Sequence, residues 1–247
     1  MRELRKHSQS ARDVLTDIAA LGPFFSVEAH LPGERPHPPW LTVSALTSQP
    51  ERMRLRIAAV RQALGAEAGS QAEQIEAKVA ASAAQFGLVA RLVAPALATL
   101  AFGYQLSMEL SELWWQDILG GPYPLSVAIQ VRGLDGRSRS GETACRQLVS
   151  EVIEPVTSAV SDLGPLSTRV LWGNVASAVN SASMQIATKQ PAAADAAQHI
   201  AEIIFRAPLL RTERNQPGPG FRRSSCCLYY RLSAERAQGT CGDCVLN

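Results

Sequence analysis

Four of the five cysteines fall within nineteen residues near the C-terminus: Cys226 and Cys227 side by side, then Cys241 and Cys244 with two residues between them. Crowding of this kind serves thiolate chemistry rather than packing. A Cys-x2-Cys turn brings two sulfurs close enough to chelate one ion, and Gly242 inside it is free to take a positive φ. The vicinal pair is a different case. Neighbouring side chains on an extended backbone point to opposite faces, so two adjacent thiols reach one small ion only through a local distortion. A binuclear centre accepts ligands over a wider region, and four thiolates are the normal complement of a [2Fe–2S] cluster. Three readings stand on residue types alone: an iron–sulfur centre, a structural zinc site with four cysteine ligands, and a redox-active dithiol.

The residues around the cysteines bear on that choice. Arg222, Arg223, Arg231 and Arg236 outnumber Glu235 and Asp243, and cationic neighbours favour the extra electron on an anionic cluster. Phe221, Leu228, Tyr229 and Tyr230 offer shielding from water. The fifth thiol, Cys145, lies among apolar neighbours in a helical stretch and reads as an inert core residue. His30 and His37 lie in a proline-rich segment with no helical partner, and read as solvated loop histidines rather than metal ligands.

The rest of the chain has to position that tail. Its 247 residues suffice for a large hydrophobic core, and abundant alanine with few aromatics leans helical. Apolar spacing predicts a helix over Gln9–Leu21 capped by Ser10, and another from Pro50 to Leu64 capped by Thr47 or Ser48. A further helix is expected from Gln71 to about Gln85. AASAAQFGLVARLVAPALATLAFG is apolar nearly all round and reads as the central buried helix, kinked at Pro95. Glu109–Leu119, with Trp114 and Trp115, continues the helical reading. PLSVAIQVRG alternates like a strand, and Leu134-Asp135-Gly136 supplies a turn toward RSRSG, so a β-hairpin is expected near 123–140. Glu142–Leu163, split near Pro155, then Leu166–Thr188 and Pro191–Phe205, are helical again. The expected fold class is therefore mainly α (α+β), a helical body at 1–206 with one hairpin or small sheet. Residues 207–247 form a linker and a cysteine-rich cluster-binding tail, packed with the body as one unit. PGPGF at 217–221 lacks the strand before it and the Lys-Ser/Thr after it that a phosphate loop needs.

The ending RRSSCCLYYRL…CGDCVL resembles the C-terminal signature of the FhuF-like ferric siderophore reductases. LWGNVASA at 171–178 and the apolar helix VAASAAQFGLVARLVAPAL look like landmarks of the same family in the same order, so the resemblance runs from about Lys78 onward. It implies a [2Fe–2S] cofactor ligated by Cys226, Cys227, Cys241 and Cys244, acting as the redox centre for one-electron reduction of a ferric siderophore in the cytoplasm. Thirteen residues separate Cys227 from Cys241, a few more than the family spacing of about ten, and the polar stretch SAERAQGT is the natural place for the difference. Substrate-binding candidates are Arg222, Arg223, Trp114 and Trp172, with a core role open for each tryptophan; Trp115 is open to both roles too.

Composition limits the alternatives. A net charge of +2 without a basic, aromatic-interleaved stripe argues against nucleic acid. Arg91 and Pro95 interrupt the most apolar run, which favours a core helix over a bilayer span and allows at most peripheral membrane association. The basic start (Arg2, Arg5, Lys6, Arg12) lacks the apolar stretch of a secretion signal. Cys244-Val245-Leu246-Asn247 matches a prenylation box only formally, because Asn is a poor last residue and no polybasic run precedes it. No flavin or nicotinamide fingerprint occurs, so electrons are expected from a separate donor: a ferredoxin, a flavin reductase or a small reductant. The competing classes are an iron–sulfur carrier or sensor without a siderophore site, and a zinc-stapled helical binding module.

Overall fold

Ala77–Ala101 contains only two charged residues and many alanines, so as a helix it is apolar on nearly every side and stable only when surrounded. In the computed structural model, which describes residues 2–134, 139–164, 166–210, 216–232 and 240–246, this segment is the axis of the molecule. The helices are α1 (Arg2–Ala19), α2 (Val43–Ser48), α3 (Pro50–Glu67), α4 (Ala77–Ala101), α5 (Arg139–Gln147), α6 (Glu154–Ser161), α7 (Thr168–Lys189) and α8 (Ala194–Phe205). α7 packs along α4, α8 packs on both, and α3 covers another side of α4. α1 contributes Leu15 and Ile18 to the same core. Among the described residues, α4 is the one helix long and apolar enough to cross a membrane, and 78% of its apolar window is buried inside the protein.

The mainly α class with a small sheet is what the structure has. Several boundaries differ. α1 starts well before Gln9, so Ser10 lies inside it instead of capping it. Thr47 and Ser48 do not cap α3; their hydroxyls donate to the Ser44 carbonyl inside α2, and Pro50 occupies the first turn of α3, where a missing N–H costs nothing. The two helices expected between Gln71 and Gly103 are one. α4 begins at Ala77 after a 3-10 turn at Ala72–Gln74 and passes through Pro95 unbroken. Before Pro155 the chain widens into a π turn at Leu148–Ile153, which relieves the clash a proline ring makes with the carbonyl four residues earlier.

The strands are β1 (Glu28–His30), β2 (Leu41–Thr42), β3 (Tyr104–Leu106), β4 (Trp114–Trp115), β5 (Leu125–Ala128) and β6 (Val131–Gly133). One sheet has the order β1-β5-β4-β2, with β1 and β5 parallel and the other pairs antiparallel; β3 and β6 form a separate antiparallel pair. The expected hairpin near 123–140 is therefore absent among the described residues. β5 is buried at all four positions, as a strand covered on both faces should be. After it, the Gln130 N–H folds back onto the Ala128 carbonyl at 2.6 Å, and the chain leaves for the second sheet. Of the expected turn and return strand, Asp135–Ser138 lie outside the described residues, and Arg139 onward is α5. Trp114 and Trp115 are strand rather than helix, since both pair with β5 and β2. His30 is not solvated: it is buried, with its Nδ1 2.8 Å from the Ser126 hydroxyl across the β1–β5 pair.

Two buried arginines tie loops to helices. Arg91 of α4 donates through Nε to the Tyr123 carbonyl (2.9 Å), through Nη1 to Phe24 (2.8 Å) and through Nη2 to Ser26. Arg56 of α3 pairs with Asp117 and lies over the Trp115 ring, 5.5 Å from its centroid. Replacing Arg91 with Met orphans three carbonyls at once. At about 1 kcal/mol for each bond lost, urea denaturation should show a loss of about 3 kcal/mol, and an unchanged midpoint would contradict the clamp.

Candidate metal centre

The face of α7 that meets the tail is set by helical spacing. Val170, Asn174 and Ser177 recur at four and three residues and so share one side. Ser167 caps the helix, accepting the Arg169 N–H at 3.3 Å. Asn174 is wholly buried. Its amide nitrogen donates to Gln85 Oε1 (2.8 Å) and to the carbonyl and hydroxyl of Ser82 (3.1 Å each) on α4. Its carbonyl oxygen accepts from the Arg223 guanidinium in the tail. Ser82 then donates its hydroxyl to the Cys227 carbonyl at 2.8 Å. One side chain thus joins both central helices to the cysteine segment.

Other contacts fasten the tail on either side. Phe221 packs edge-on against Phe205 of α8, with centroids 5.6 Å apart, and Gln198 donates to the Pro217 carbonyl at 2.9 Å. Gly218, at a φ of 140° that favours glycine, gives its N–H to Asn180 Oδ1 at 2.7 Å. Ser225 donates to the Arg169 carbonyl (2.9 Å) and Ser177 to the Asp243 carboxylate (2.6 Å). Arg231 is ion-paired with Glu76 next to the start of α4, at 2.7 Å. The two cysteine pairs are joined through the Arg223 N–H, which donates to the Asp243 carbonyl at 3.0 Å, and the Arg222 side chain, which donates to Gly242 at 2.8 Å.

The backbone is distorted at the residue that follows the vicinal pair. Leu228 has φ of 70°, a left-handed conformation that costs a β-carbon-bearing residue about 1–2 kcal/mol. Gly242 is not among the positive-φ residues. The turn at Leu228 lets its N–H donate to Cys226 Sγ at 3.3 Å, and Leu246 N–H donates in the same way to Cys244 Sγ at 3.4 Å. Donors to sulfur favour thiolate over thiol. Cys244 N–H closes on the Cys241 carbonyl at 3.0 Å, forming the expected knuckle.

Cys227 Sγ and Cys241 Sγ stand 3.6 Å apart. Two thiolates on one tetrahedral ion with bonds of about 2.3 Å are separated by about 3.75 Å, so this pair has the spacing of two ligands on a single metal. The hydrogen bond from Cys241 holds the Cys227 sulfur low, at about 6, and pushes Cys241 up in return. Cys226 is raised, chiefly by burial, and it also senses the charges of Cys227 and Cys244. Cys241 senses Cys244 as well, so the four sulfurs occupy one electrostatic neighbourhood. Among the described residues, no three His, Cys, Asp or Glu side chains converge on a single-ion site. The donor set itself fits a two-iron cluster: four cysteines, one pair at ligand spacing and backbone donors to two of the sulfurs.

The candidates read from the sequence separate clearly. Arg222 and Arg223 lie beside the cysteines and bond to Gly242 and Asp243 of the Cys-x2-Cys turn. Trp114 lies in β4, and Trp172 is buried in α7 two residues before Asn174, about 200° round the helix and so turned away from the tail. Trp115 is a core residue against Tyr123. Arg236 and Glu235 lie outside the described residues. Tyr229 is exposed and Phe221 buried. A cavity of about 180 Å³ lies among Ala96, Leu100, Gln105, Arg132 and Glu151; along α4 it is fourteen residues from Ser82, about 21 Å, too far to adjoin the cysteines. Ser82, Gln85 and Ser177 were not singled out in advance. Their signal was a polar side chain inside an otherwise apolar helix, which needs a partner when buried.

No family model matches the chain, and a search of curated proteins returns no match either. Cys145 is buried in α5, and burial pushes its thiol up to about 12. Iodoacetamide at pH 8 should therefore leave Cys145 unmodified in the native protein and label it only after denaturation. Rapid native labelling, read by peptide mass spectrometry, would contradict its inert role.

Proposed function

We propose that this chain is a [2Fe–2S] ferric siderophore reductase, with Cys226, Cys227, Cys241 and Cys244 as the cluster ligands. The observation that carries the reading is the 3.6 Å approach of Cys227 and Cys241 beside a second, N–H-supported pair. The FhuF-like pattern of the ending, with Asn174 of LWGNVASA bonded to the tail through Arg223, supports the same conclusion. A cluster held there would supply single electrons. Catecholate and hydroxamate oxygens hold ferric ion more tightly than ferrous ion, because hard anions prefer the more highly charged cation. One electron therefore loosens the substrate complex and releases Fe(II).

The chain's own residues provide the setting. The turn at Leu228 gives the Cys226 sulfur a backbone N–H donor. Phe221 and the half-buried Leu228 exclude water on the body side, while Cys226, Cys227 and Cys241 retain partial exposure. Exposed Arg222 adds a positive rim suited to an anionic chelate. The electron donor is a separate ferredoxin, flavin reductase or small reductant, and the compartment is the cytoplasm, where clustered cysteines stay reduced.

Stopped-flow mixing of dithionite-reduced protein with a ferric trihydroxamate or tricatecholate should reoxidise the centre, with Fe(II) trapped by a ferrous chelator. Reoxidation no faster than in buffer would exclude the reductase and leave a carrier or sensor. Cys241→Ser should lose the visible charge-transfer absorption, whereas Cys145→Ser should keep it; equal spectra in the two variants would remove Cys241 from the ligand set.

A further inference from the structure

Of the arginines that the sequence places near the cysteines, the three among the described residues are not equivalent. Arg231 is spent on Glu76 at the surface. Arg222 is exposed, so water screens its charge. Arg223 is different: it is only 1% exposed. Among the described residues no carboxylate lies within ion-pair distance of it, its Nε has no hydrogen-bond partner, and its Nη2 is held by neutral oxygens, those of Asn174 and Val170. A buried cation without an anion is costly. Its charge acts on the sulfurs of Cys226, Cys227 and Cys241, and its backbone N–H and its bond to Asn174 fix it to that segment.

We propose that Arg223 is the internal counter-ion of the sulfur centre, that it raises the centre's reduction potential, and that Asn174 is the positioning residue that aims it. This rests on the cluster reading above. A cluster with four thiolate ligands is anionic, and gaining one electron from the donor makes it more so. A fixed positive charge stabilises the reduced state more than the oxidised one and moves the potential upward. The electron then passes to the ferric chelate, which is the oxidant. Because the guanidinium is shielded from water, its effect resists salt in a way that surface charge does not.

The test is a dithionite titration monitored by electron paramagnetic resonance on wild type, Arg223→Gln, Arg223→Lys, Arg222→Gln and Asn174→Asp, each with iron and sulfide quantified. Arg223→Gln should have a more negative midpoint than wild type, Arg223→Lys should stay close to wild type, and Arg222→Gln should shift less than Arg223→Gln. If Arg223→Gln does not retain its cluster, Asn174→Asp decides: the new carboxylate pairs with the guanidinium, cancels its field and should lower the midpoint. A fully loaded Arg223→Gln, or in its place Asn174→Asp, with the wild-type midpoint overturns the inference while leaving the cluster reading intact. A wild-type chain that takes up no iron and sulfide overturns both.

Discussion

The structure depends on a wholly buried amide. Asn174 sits where α4, α7 and the cysteine tail meet, and each of its two polar atoms faces a different element. In an apolar interior an unsatisfied amide costs several kcal/mol, so the three elements are held in one register or not at all. That constraint explains why Gln85 and Ser82 interrupt an otherwise apolar α4. Both are buried, and both spend their polar atoms on Asn174, Thr157, Leu171 or Cys227. A leucine at 174 would pack as well against α4 but would leave Arg223 unheld and the tail without its central attachment.

The tail is too short to build a core of its own, and its contacts show how it avoids needing one. It buries Phe221 and Arg223 in the body and bonds to α7 through the Gly218 N–H, the Ser225 hydroxyl and the Asp243 carboxylate. Among the described residues 216–232 and 240–246 the regular structure is a single 3-10 turn at Tyr229–Leu232, so the cysteines are placed chiefly by the helices of the body. Rigid placement suits electron transfer, because a centre that moves little on changing oxidation state wastes little energy in reorganisation.

Much of this was legible in advance where a single physical rule dominates. The buried axis followed from an apolar face that goes all the way round α4, and the crowding of four cysteines singled out the tail without any fold. The hairpin failed because LSVA was read as an alternating strand, whereas β5 is buried on both faces and the chain turns out of the sheet at Gln130. His30 looked like a loop histidine because its partner, Ser126, is ninety-six positions away. The same distance hid the hub: nothing local in LWGNVASA says that Asn174 meets Ser82 and Arg223. A positive φ was expected at Gly242 in the Cys-x2-Cys turn; the tail has one instead at Leu228, just after the vicinal pair, where the side chain packs against the core.

The central claim is that the four tail cysteines hold a two-iron centre. Its most direct measurement is the metal and acid-labile sulfide content of anaerobically purified protein, taken together with the electron paramagnetic resonance spectrum after reduction. The account predicts two irons and two sulfides per chain, with the signal of a single unpaired electron on reduction. One zinc per chain, no sulfide and no such signal would contradict it.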